Sequence, residues 1–201
     1  MTRPEDAALA SELGADAIGI IFYEKSARNV SRSLAQEIVA AVNPLCSVVA
    51  VVVNPKAGEV ESILESVPIS LIQFHGDESP EFCAQFQCPY MKAVRMKQGT
   101  NLVALRQKYA GARGLLLDTF DKNLIGGTGH PFDWAMLDAD VLQTPGPVMV
   151  LAGGLSPANV SRAIADTGIR NLDVNSGIEI APGVKDSEKM RAVMRLKYSL
   201  S

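Results

Sequence analysis

Two stretches near the end of the chain decide the predicted fold: residues 148–157 (VMVLAGGLSP) and residues 171–179 (NLDVNSGIE). Each is a short apolar run that stops at small residues, a pattern typical of a strand buried on both faces. After the first run, Ser156 and Pro157 supply an N-cap and a first-turn proline, so a helix is predicted to begin there. Both stretches therefore predict units of a parallel α/β fold.

The small residues that end these two strands predict a site for an anion. Gly153 and Gly154 have no Cβ, so a ligand can approach their backbone N–H groups closely, and Asn175, Ser176 and Gly177 offer the same after the second strand. Two such strand ends in succession match the phosphate site of (β/α)8 barrels, which the loops after strands 7 and 8 form. Ordinary tight turns are the alternative, and the repetition favours the phosphate site.

Length and composition favour one α/β domain over residues 1–201, slightly short for a complete (β/α)8 barrel. The net charge of −3 indicates no basic surface, so nucleic acid is not an expected partner. No apolar run reaches membrane-spanning length, and no secretory leader is recognised before the first helix. The three scattered cysteines fit neither a zinc site nor a set of disulfides, which favours a reducing cytoplasm.

Strand and helix patterns alternate after a helix that opens the chain behind a predicted capping box, residues 2–5 (TRPE). Seven strands are predicted, over residues 17–22, 47–53, 69–74, 90–95 and 115–119 and in the two stretches above. Helices are predicted over residues 34–42 behind a Ser31 cap, 58–65, 100–109 and 187–198, from Ser79, and from Asp133. No Gly-x-Gly-x-x-Gly follows the first strand, which disfavours a doubly wound sheet. We predict an α/β fold of the (β/α)8 TIM-barrel type, missing strand 1, with seven βα strands after a lone first helix.

Polar side chains at the C-terminal ends of the strands are the candidates for chemistry, because active sites of such barrels lie at that face. Asp118 ends an apolar strand, so partial burial should raise its pKa and let it act as a general acid; a loop-tethering aspartate is the alternative. Arg28 either holds a carboxylate with two hydrogen bonds or lies solvated at the surface. His75 either acts in the site or caps its loop. The other candidates at this face are Gln73, Arg95, Asp173, Asn175 and Ser176.

Two further features are judged by their position. The glycine-rich loop of residues 120–132 is long enough to predict a functional role, and His130 within it is expected to be exposed. Cys46 enters a strand and Cys88 precedes one, which places both at the N-terminal face, while Cys83 falls on an outer helix. All three cysteines are therefore predicted to be structural.

Eight motifs along the chain resemble those of one enzyme family: GADAIG (14–19), FYEKSAR (22–28), QFHGDE (73–78), LLDT (116–119), GGTG (126–129), FDW (132–134), LAGGL (151–155) and DVNSGIE (173–179). Each is weak alone, but their order and spacing together are specific. On these motifs the chain resembles the phosphoribosylanthranilate isomerase family of tryptophan biosynthesis along essentially its whole length.

The resemblance implies an Amadori rearrangement of N-(5-phosphoribosyl)anthranilate, a small-molecule substrate, without metal or organic cofactor. It implies that Asp118 is the general acid that protonates the furanose oxygen, so that the ring opens to a Schiff base, and that Arg28 holds the anthranilate carboxylate. The phosphate-binding residues that it implies are Gly153, Gly154, Asn175 and Ser176. The residues that it places in the rest of the substrate pocket are Gln73, Asp173 near the sugar hydroxyls, and His75, whose role it does not settle.

One feature of the family is missing from this sequence. The resemblance implies a cysteine as general base, in a Lys-Ile/Val-Cys-Gly motif at the end of strand 1, just before the residues that are here Thr2 and Arg3. The sequence starts at Met1, so it contains neither that strand nor that cysteine. An internal start codon and a true truncation are the two explanations, and the first is favoured because an open sheet exposes two unpaired edges. We therefore expect the 201-residue chain to be inactive, or nearly so.

Two other functions remain open. A different phosphate-binding barrel, such as a sugar-phosphate epimerase, would predict a metal site or paired aspartates on two strands. A non-catalytic remnant that binds phosphoribosyl ligands or a partner barrel would agree with the missing cysteine, whereas Asp118 and Arg28 argue against it. The sequence does not distinguish a monomer from a homodimer, and it predicts no membrane partner.

Overall fold

The structure, a computed structural model, describes residues 1–119, 134, 137 and 145–199. The predictions for the loop of residues 120–132, for His130 and for a helix from Asp133 lie outside these residues. Among the described residues, no helix combines the length and the apolar character needed to cross a membrane.

Six parallel strands form one sheet in which each strand lies beside its neighbours in sequence. The strands are β1 (Ala17–Phe22), β2 (Ser47–Val52), β3 (Leu71–Phe74), β4 (Tyr90–Met96), β5 (Gly114–Thr119) and β6 (Val148–Leu151). Parallel neighbours require crossover connections, and β-branched and aliphatic side chains fill strands that are covered on both faces. This sequential parallel order is that of a partial (β/α)8 barrel, as the sequence predicts.

Helices occupy the crossovers between the strands and cover the outer face of the sheet. They are α1 (Pro4–Glu12), α2 (Arg32–Ala40), α3 (Ala57–Ser66), α4 (Pro80–Ala84), α5 (Leu102–Lys108), α6 (Val160–Thr167) and α7 (Ser187–Ser199). Ser31 and Ser79 accept hydrogen bonds from the N–H groups of Leu34 and Phe82, so both predicted caps are confirmed.

The predicted seventh strand is reduced to a single bridge. Leu151 donates its N–H to the Asn171 carbonyl and accepts from the Asp173 N–H, both at 2.8 Å, and Leu172 bridges Leu151 in parallel. The chain then turns into a 3-10 turn (Ser176–Ile178), which ends the extended segment after these few residues. Among the described residues, the parallel sheet therefore has six strands, and a single bridged segment takes the place of the predicted seventh.

An antiparallel hairpin that the sequence did not predict follows this turn. It pairs β7 (Glu179–Ala181) with β8 (Val184–Lys185), and Gly183 has the left-handed φ of 88° that the tight connection needs. The Met1 amino group donates to the Gly19 carbonyl of β1, and the Thr2 hydroxyl donates to the Gly183 carbonyl. The first two residues therefore lie between β1 and the hairpin.

Two predicted helix starts are corrected. The N-cap of α1 is Arg3, with no side-chain cap, because the Thr2 hydroxyl that should form the capping box bonds Gly183 instead. The helix expected at Ser156 begins at Val160. Asn159 accepts from the Ser156 N–H at 2.8 Å and donates to the Gly154 carbonyl at 2.9 Å, which stabilises a turn before the helix.

The alternation of side chains along β5 separates two packed layers. Leu115 and Leu117 pack with Phe74 and Leu151 under the helices, in the largest hydrophobic cluster. Leu116 points to the opposite face and packs with Ala93 and Ala152, in a small cluster below the C-terminal ends of the strands. The next residue on that face is Asp118, so this inner layer of Ala93, Leu116 and Ala152 packs directly beneath it.

The inner layer makes a direct prediction for stability. Leu116→Ala should lower the free energy of unfolding by about 2–5 kcal/mol, because Leu116 is fully buried and its truncation leaves a cavity. Leu45→Ala removes the same atoms from a side chain that is 93% exposed and should change stability by less than about 0.5 kcal/mol. Urea unfolding of both variants measures this difference, and equal losses would contradict the described packing.

Candidate active site

The predicted site residues gather at the C-terminal end of the parallel sheet. Gln73 lies on β3, with His75 directly after it, and Asp118 near the end of β5 stands in register with Arg95 on β4. Parallel strands bring these ends to one edge, so residues far apart in sequence become neighbours. The sequence predicted this placement correctly.

Asp118 and His75 are in direct contact at the centre of this edge. The Asp118 Oδ2 lies 3.0 Å from His75 Nε2, and His75 Nδ1 lies 2.9 Å from Gln73 Nε2. Asp118 Oδ1 accepts the N–H of Thr119 at 2.9 Å. The side chains of His75 and Asp118 are 14% and 11% exposed. The carboxyl group of Asp118 is therefore mostly buried, and a small part of it remains accessible from this edge of the sheet.

The glycine loop after β6 packs directly onto Asp118. Gly153 and Gly154 have left-handed φ angles of 74° and 66°, which glycine adopts without strain. A Cβ on Gly153 would lie 2.8 Å from Asp118 Oδ1 and would overlap with Thr119. The Thr119 hydroxyl oxygen is buried there with no hydrogen-bond partner among the described residues. Only glycine at position 153 therefore allows the backbone of this loop to pack against the Asp118 carboxyl group.

The second predicted phosphate loop packs onto the first. A Cβ on Gly177 would lie 2.8 Å from the carbonyl carbon of Leu155 and 2.8 Å from the Ser156 Cβ, so only glycine permits this contact. Ser176 opens the 3-10 turn at this point. The two stretches from which the fold was predicted thus form one continuous corner of small residues beside Asp118.

A buried cluster of charges, which the sequence analysis missed, lies beside this corner. Glu179 accepts from Arg28 through Nε, at 3.0 and 3.1 Å, and through Nη2, at 2.6 Å, while Lys185 Nζ lies 3.1 Å from Glu179 Oε1. Lys185 also donates to the carbonyl and side-chain oxygens of Asn175, at 3.0 and 2.7 Å. Arg28 is therefore not solvated at the surface. Glu179 binds two nitrogens of its guanidinium group, so the whole group is not available to a ligand.

The ionisation of Glu179 and Lys185 follows from this pairing. Burial opposes the charge on Glu179, but the hydrogen bonds from Arg28 and Lys185 and their charges outweigh it, so the Glu179 pKa is lowered. Burial lowers the pKa of Lys185, and the Glu179 charge offsets part of that effect. Glu179 belongs to a motif quoted above, but nothing in the sequence around it identifies Arg28 or Lys185 as its partner.

A second buried pair supports the loop that carries His75. Lys92 Nζ lies 3.4 Å from Glu78 Oε2 and donates to the carbonyls of Phe74 and Gly76 at 3.2 and 2.7 Å. Glu78 accepts the Gly76 N–H in return, at 3.0 and 3.1 Å. These bonds fix the backbone on both sides of His75. Lys92 lies on the face of β4 opposite to Arg95, with Tyr90 and Val94 under the helices, which is why the sequence did not single it out.

The cysteines lie where the sequence placed them. Cys46 directly precedes β2 and Cys88 lies two residues before β4, both at the opposite end of the sheet, and Cys83 lies in α4. Burial raises the pKa of all three thiols, that of Cys83 to about 12. None of them is positioned or activated to act on a ligand beside Asp118. The described residues contain no group of three or more His, Cys, Asp or Glu side chains that could hold a metal ion.

Asp173, the remaining candidate, is a half-buried carboxyl group with a perturbed ionisation. Burial raises its pKa and the charge of Asp118 adds to this effect, while His75 and Lys185 oppose it. The structure thus places a second acidic group within electrostatic reach of Asp118, at the edge of the small-residue corner.

The raised pKa of Asp173 predicts how stability depends on pH. A carboxyl whose folded pKa lies above its unfolded value, about 3.9, costs stability as pH rises through the folded pKa. Asp173→Asn should therefore increase the free energy of unfolding at pH 7.5, and the gain should shrink towards pH 4, where the wild-type carboxyl is increasingly protonated. Urea unfolding at both pH values tests this, and an equal gain at both would contradict it.

Comparison with known proteins finds similarity over nearly the whole chain. Residues 1–195 match the family model described as N-(5'phosphoribosyl)anthranilate (PRA) isomerase. A protein of Pseudomonas putida named N-(5'-phosphoribosyl)anthranilate isomerase is 47% identical over 195 residues, covering 97% of this chain and 93% of that protein. A protein of the same name from Nitrosomonas europaea is 46% identical, covering 97% and 90%.

Solved structures show the same similarity. Phosphoribosyl anthranilate isomerase from Thermus thermophilus superimposes with a TM-score of 0.87 at 33% identity, covering 100% of this chain and 96% of that one. A phosphoribosyl anthranilate isomerase in complex with reduced 1-(o-carboxyphenylamino)-1-deoxyribulose 5-phosphate superimposes with a TM-score of 0.83 at 30% identity, covering 99% and 95%. The chain belongs to the N-(5'-phosphoribosyl)anthranilate isomerase family.

Proposed function

We propose that this chain provides the substrate site and the general acid for the Amadori rearrangement of N-(5'-phosphoribosyl)anthranilate into 1-(o-carboxyphenylamino)-1-deoxyribulose 5-phosphate, a step of tryptophan biosynthesis. The observation that carries the proposal is the placement of Asp118. Asp118 lies near the end of β5, and its carboxyl group contacts His75 and faces the glycine loop after β6. One accessible acid beside a candidate phosphate corner is what ring opening of a phosphorylated furanose requires.

Asp118 acts as the general acid in this mechanism. It donates a proton to the furanose ring oxygen as the bond from that oxygen to C1 breaks, and the nitrogen lone pair forms the C1=N bond of the Schiff base. A base, which the resemblance implies to be the cysteine of the Lys-Ile/Val-Cys-Gly motif that this sequence does not contain, then removes the proton from C2 and gives an enolamine. The enolamine becomes the aminoketose when C1 gains a proton and the C2 hydroxyl loses one.

The small-residue corner binds the phosphate in this proposal. Gly153, Gly154 and Ser176 let the phosphate approach the backbone closely, and close approach to N–H groups is how phosphates are commonly held. Asn175 contributes through its backbone and amide nitrogen, because Lys185 occupies its side-chain oxygen. The ammonium group of Lys185 adds positive charge behind the corner.

Arg28 binds the anthranilate carboxylate with the part of its guanidinium that Glu179 leaves available. Glu179 takes Nε and Nη2, so the substrate meets the remaining edge of a group whose plane is already fixed. Pre-orientation reduces the entropy lost when the carboxylate binds. In this proposal Asp173 contacts the sugar hydroxyls.

The proposal also includes the setting in which the enzyme works. A cytoplasmic location agrees with three free thiols in the described chain, none of which forms a disulfide. The protein acts on its small-molecule substrate as a monomer or a homodimer, and residues 1–201 form one domain.

Asp118→Asn should abolish isomerisation, because asparagine keeps the shape of the side chain but has no proton to transfer. A general acid contributes roughly 10²–10⁴-fold, so kcat should fall by at least about 100-fold while the affinity for a reduced product analogue changes little. Asp16→Asn is the matched control, since that side chain is 89% exposed and precedes β1 at the opposite end of the sheet. Loss of substrate fluorescence measures turnover, and near-normal turnover of Asp118→Asn would refute the assignment.

The low activity expected of the 201-residue chain remains a prediction, and the same assay tests it. An extension that adds the family's Lys-Ile-Cys-Gly motif before Met1 should bring turnover, whereas the same extension with serine in place of cysteine should not. The Asp118 and Asp16 variants are therefore compared in the cysteine-containing version. Full activity of the 201-residue chain would show that another residue serves as base. Binding of the analogue without turnover in any version would favour the non-catalytic alternative.

A further inference from the structure

His75 connects two strands that do not touch. β3 and β5 are separated by β4 in the sheet, yet the imidazole after β3 reaches Asp118 on β5. Gln73, two residues earlier and on the same face of β3, contacts the other ring nitrogen. The side chains of Gln73, His75 and Asp118 are therefore joined in one chain of contacts. The resemblance to known enzymes does not settle the role of His75, the middle one.

We propose that His75 is a positioning residue, locked by Gln73 as the neutral tautomer with its proton on Nε2, and that this neutral N–H orients Asp118 for proton transfer. The inference rests on the proposed function, because it takes Asp118 as the acid of the reaction. Gln73 becomes a second positioning residue, which acts through the histidine and not on the substrate.

The protons on the ring follow from the donors around it. The amide nitrogen of Gln73 can only donate, so His75 Nδ1, at 2.9 Å, accepts and carries no proton. In a neutral imidazole the proton then sits on Nε2, which donates to Asp118 Oδ2 at 3.0 Å.

The neutral state of His75 matters for the acid. A positive imidazolium in contact with Asp118 would stabilise the carboxylate strongly and hold it ionised, which makes a poor proton donor. A neutral N–H instead fixes the orientation of the carboxyl group and stabilises the carboxylate moderately after the proton has left. With Oδ1 bound to the Thr119 N–H, each oxygen of Asp118 has one donor in both stages of the reaction.

The frame around His75 is rigid enough to maintain this line. Gln73 is 4% exposed and lies in a strand paired on both sides, and the His75 N–H donates to the Val52 carbonyl at 2.8 Å. The Lys92–Glu78 pair fixes Gly76 on the other side. The charged groups on the surrounding elements are Asp118 on β5, Arg95 on β4, Asp173 after β6 and Asp77 in the His75 loop.

Nitrogen NMR of the unliganded protein tests the tautomer directly. The chain has two histidines, so His130→Asn identifies the His75 signals by elimination. At pH 7.5 we expect a protonated Nε2 and an unprotonated Nδ1 for His75. A proton on Nδ1, alone or in an imidazolium, would overturn the inference. This result needs no turnover, so it stands or fails independently of the proposed function.

Substitution of Gln73 tests the lock. Gln73→Glu replaces the amide donor with a negatively charged acceptor of the same shape. Because this carboxylate would accept a hydrogen bond from His75 Nδ1–H, the His75 imidazolium should persist to a pH higher by more than about one unit. Gln73→Met removes the donor without adding charge and should give a smaller shift in the same direction, which keeps the test valid if the buried glutamate prevents folding. Gln107→Glu makes the same charge change on an exposed helix position and should leave the His75 titration unchanged. An unshifted titration in both Gln73 variants would overturn the lock.

Kinetics of the cysteine-containing version connect the lock to catalysis. Gln73→Glu should lower kcat by about tenfold or more with little change in KM, and should move the alkaline limb of the pH profile to lower pH, because an ionised Asp118 has no proton to give. His75→Gln, whose amide nitrogen can replace Nε2 as a neutral donor, should retain more activity than His75→Ala. Equal kcat values and pH profiles in these variants and in the unsubstituted version would overturn the positioning role. No turnover in any version would instead count against the proposed function.

Discussion

The hydrogen bonding of the Asp118 carboxyl group is the interaction on which the rest of the site depends. One oxygen contacts His75 from the end of β3, the other accepts the N–H of Thr119, and the Gly153 loop from β6 packs against the same group. Three parts of the chain therefore meet at one side chain. The parallel sheet brings them together, and the small inner layer of Ala93, Leu116 and Ala152 supports them from below.

Two buried ion pairs hold the loops around this centre. Glu78 with Lys92 fixes the backbone beside His75, and Glu179 with Lys185 and Arg28 joins the loop after β1 to the terminal hairpin. A buried charge that loses its partner typically costs about 3–5 kcal/mol, so each pair strongly favours one arrangement of its loop. Their contribution lies in positioning more than in net stability, because the desolvation of both charges offsets much of their attraction.

The sequence predicted the parts of the fold that follow from local patterns. Apolar runs ending in small or polar residues located the six strands, and the same pattern brought Asp118, His75 and the two glycine loops to one edge. What it could not predict depends on which partner a side chain finds in the folded chain. The Thr2 hydroxyl donates to the Gly183 carbonyl and does not cap its own helix. The side chain of Asn159 stabilises a turn after Ser156, so α6 begins later than predicted. Residues 171–173 form one bridge before the chain turns. Glu179 carries no pattern that names Arg28 as its partner across 151 positions of sequence.

The central claim is that one corner of the sheet binds the phosphate while Asp118 meets the reacting end of the sugar. A crystal structure of the chain with a reduced analogue of the proposed product tests this claim most directly. The account predicts the phosphate against Gly153, Gly154 and Ser176, the aryl carboxylate on the free edge of Arg28, and the oxygen derived from the ring within hydrogen-bond distance of Asp118. An analogue bound with its phosphate elsewhere, or with Asp118 out of reach of that oxygen, would contradict the account.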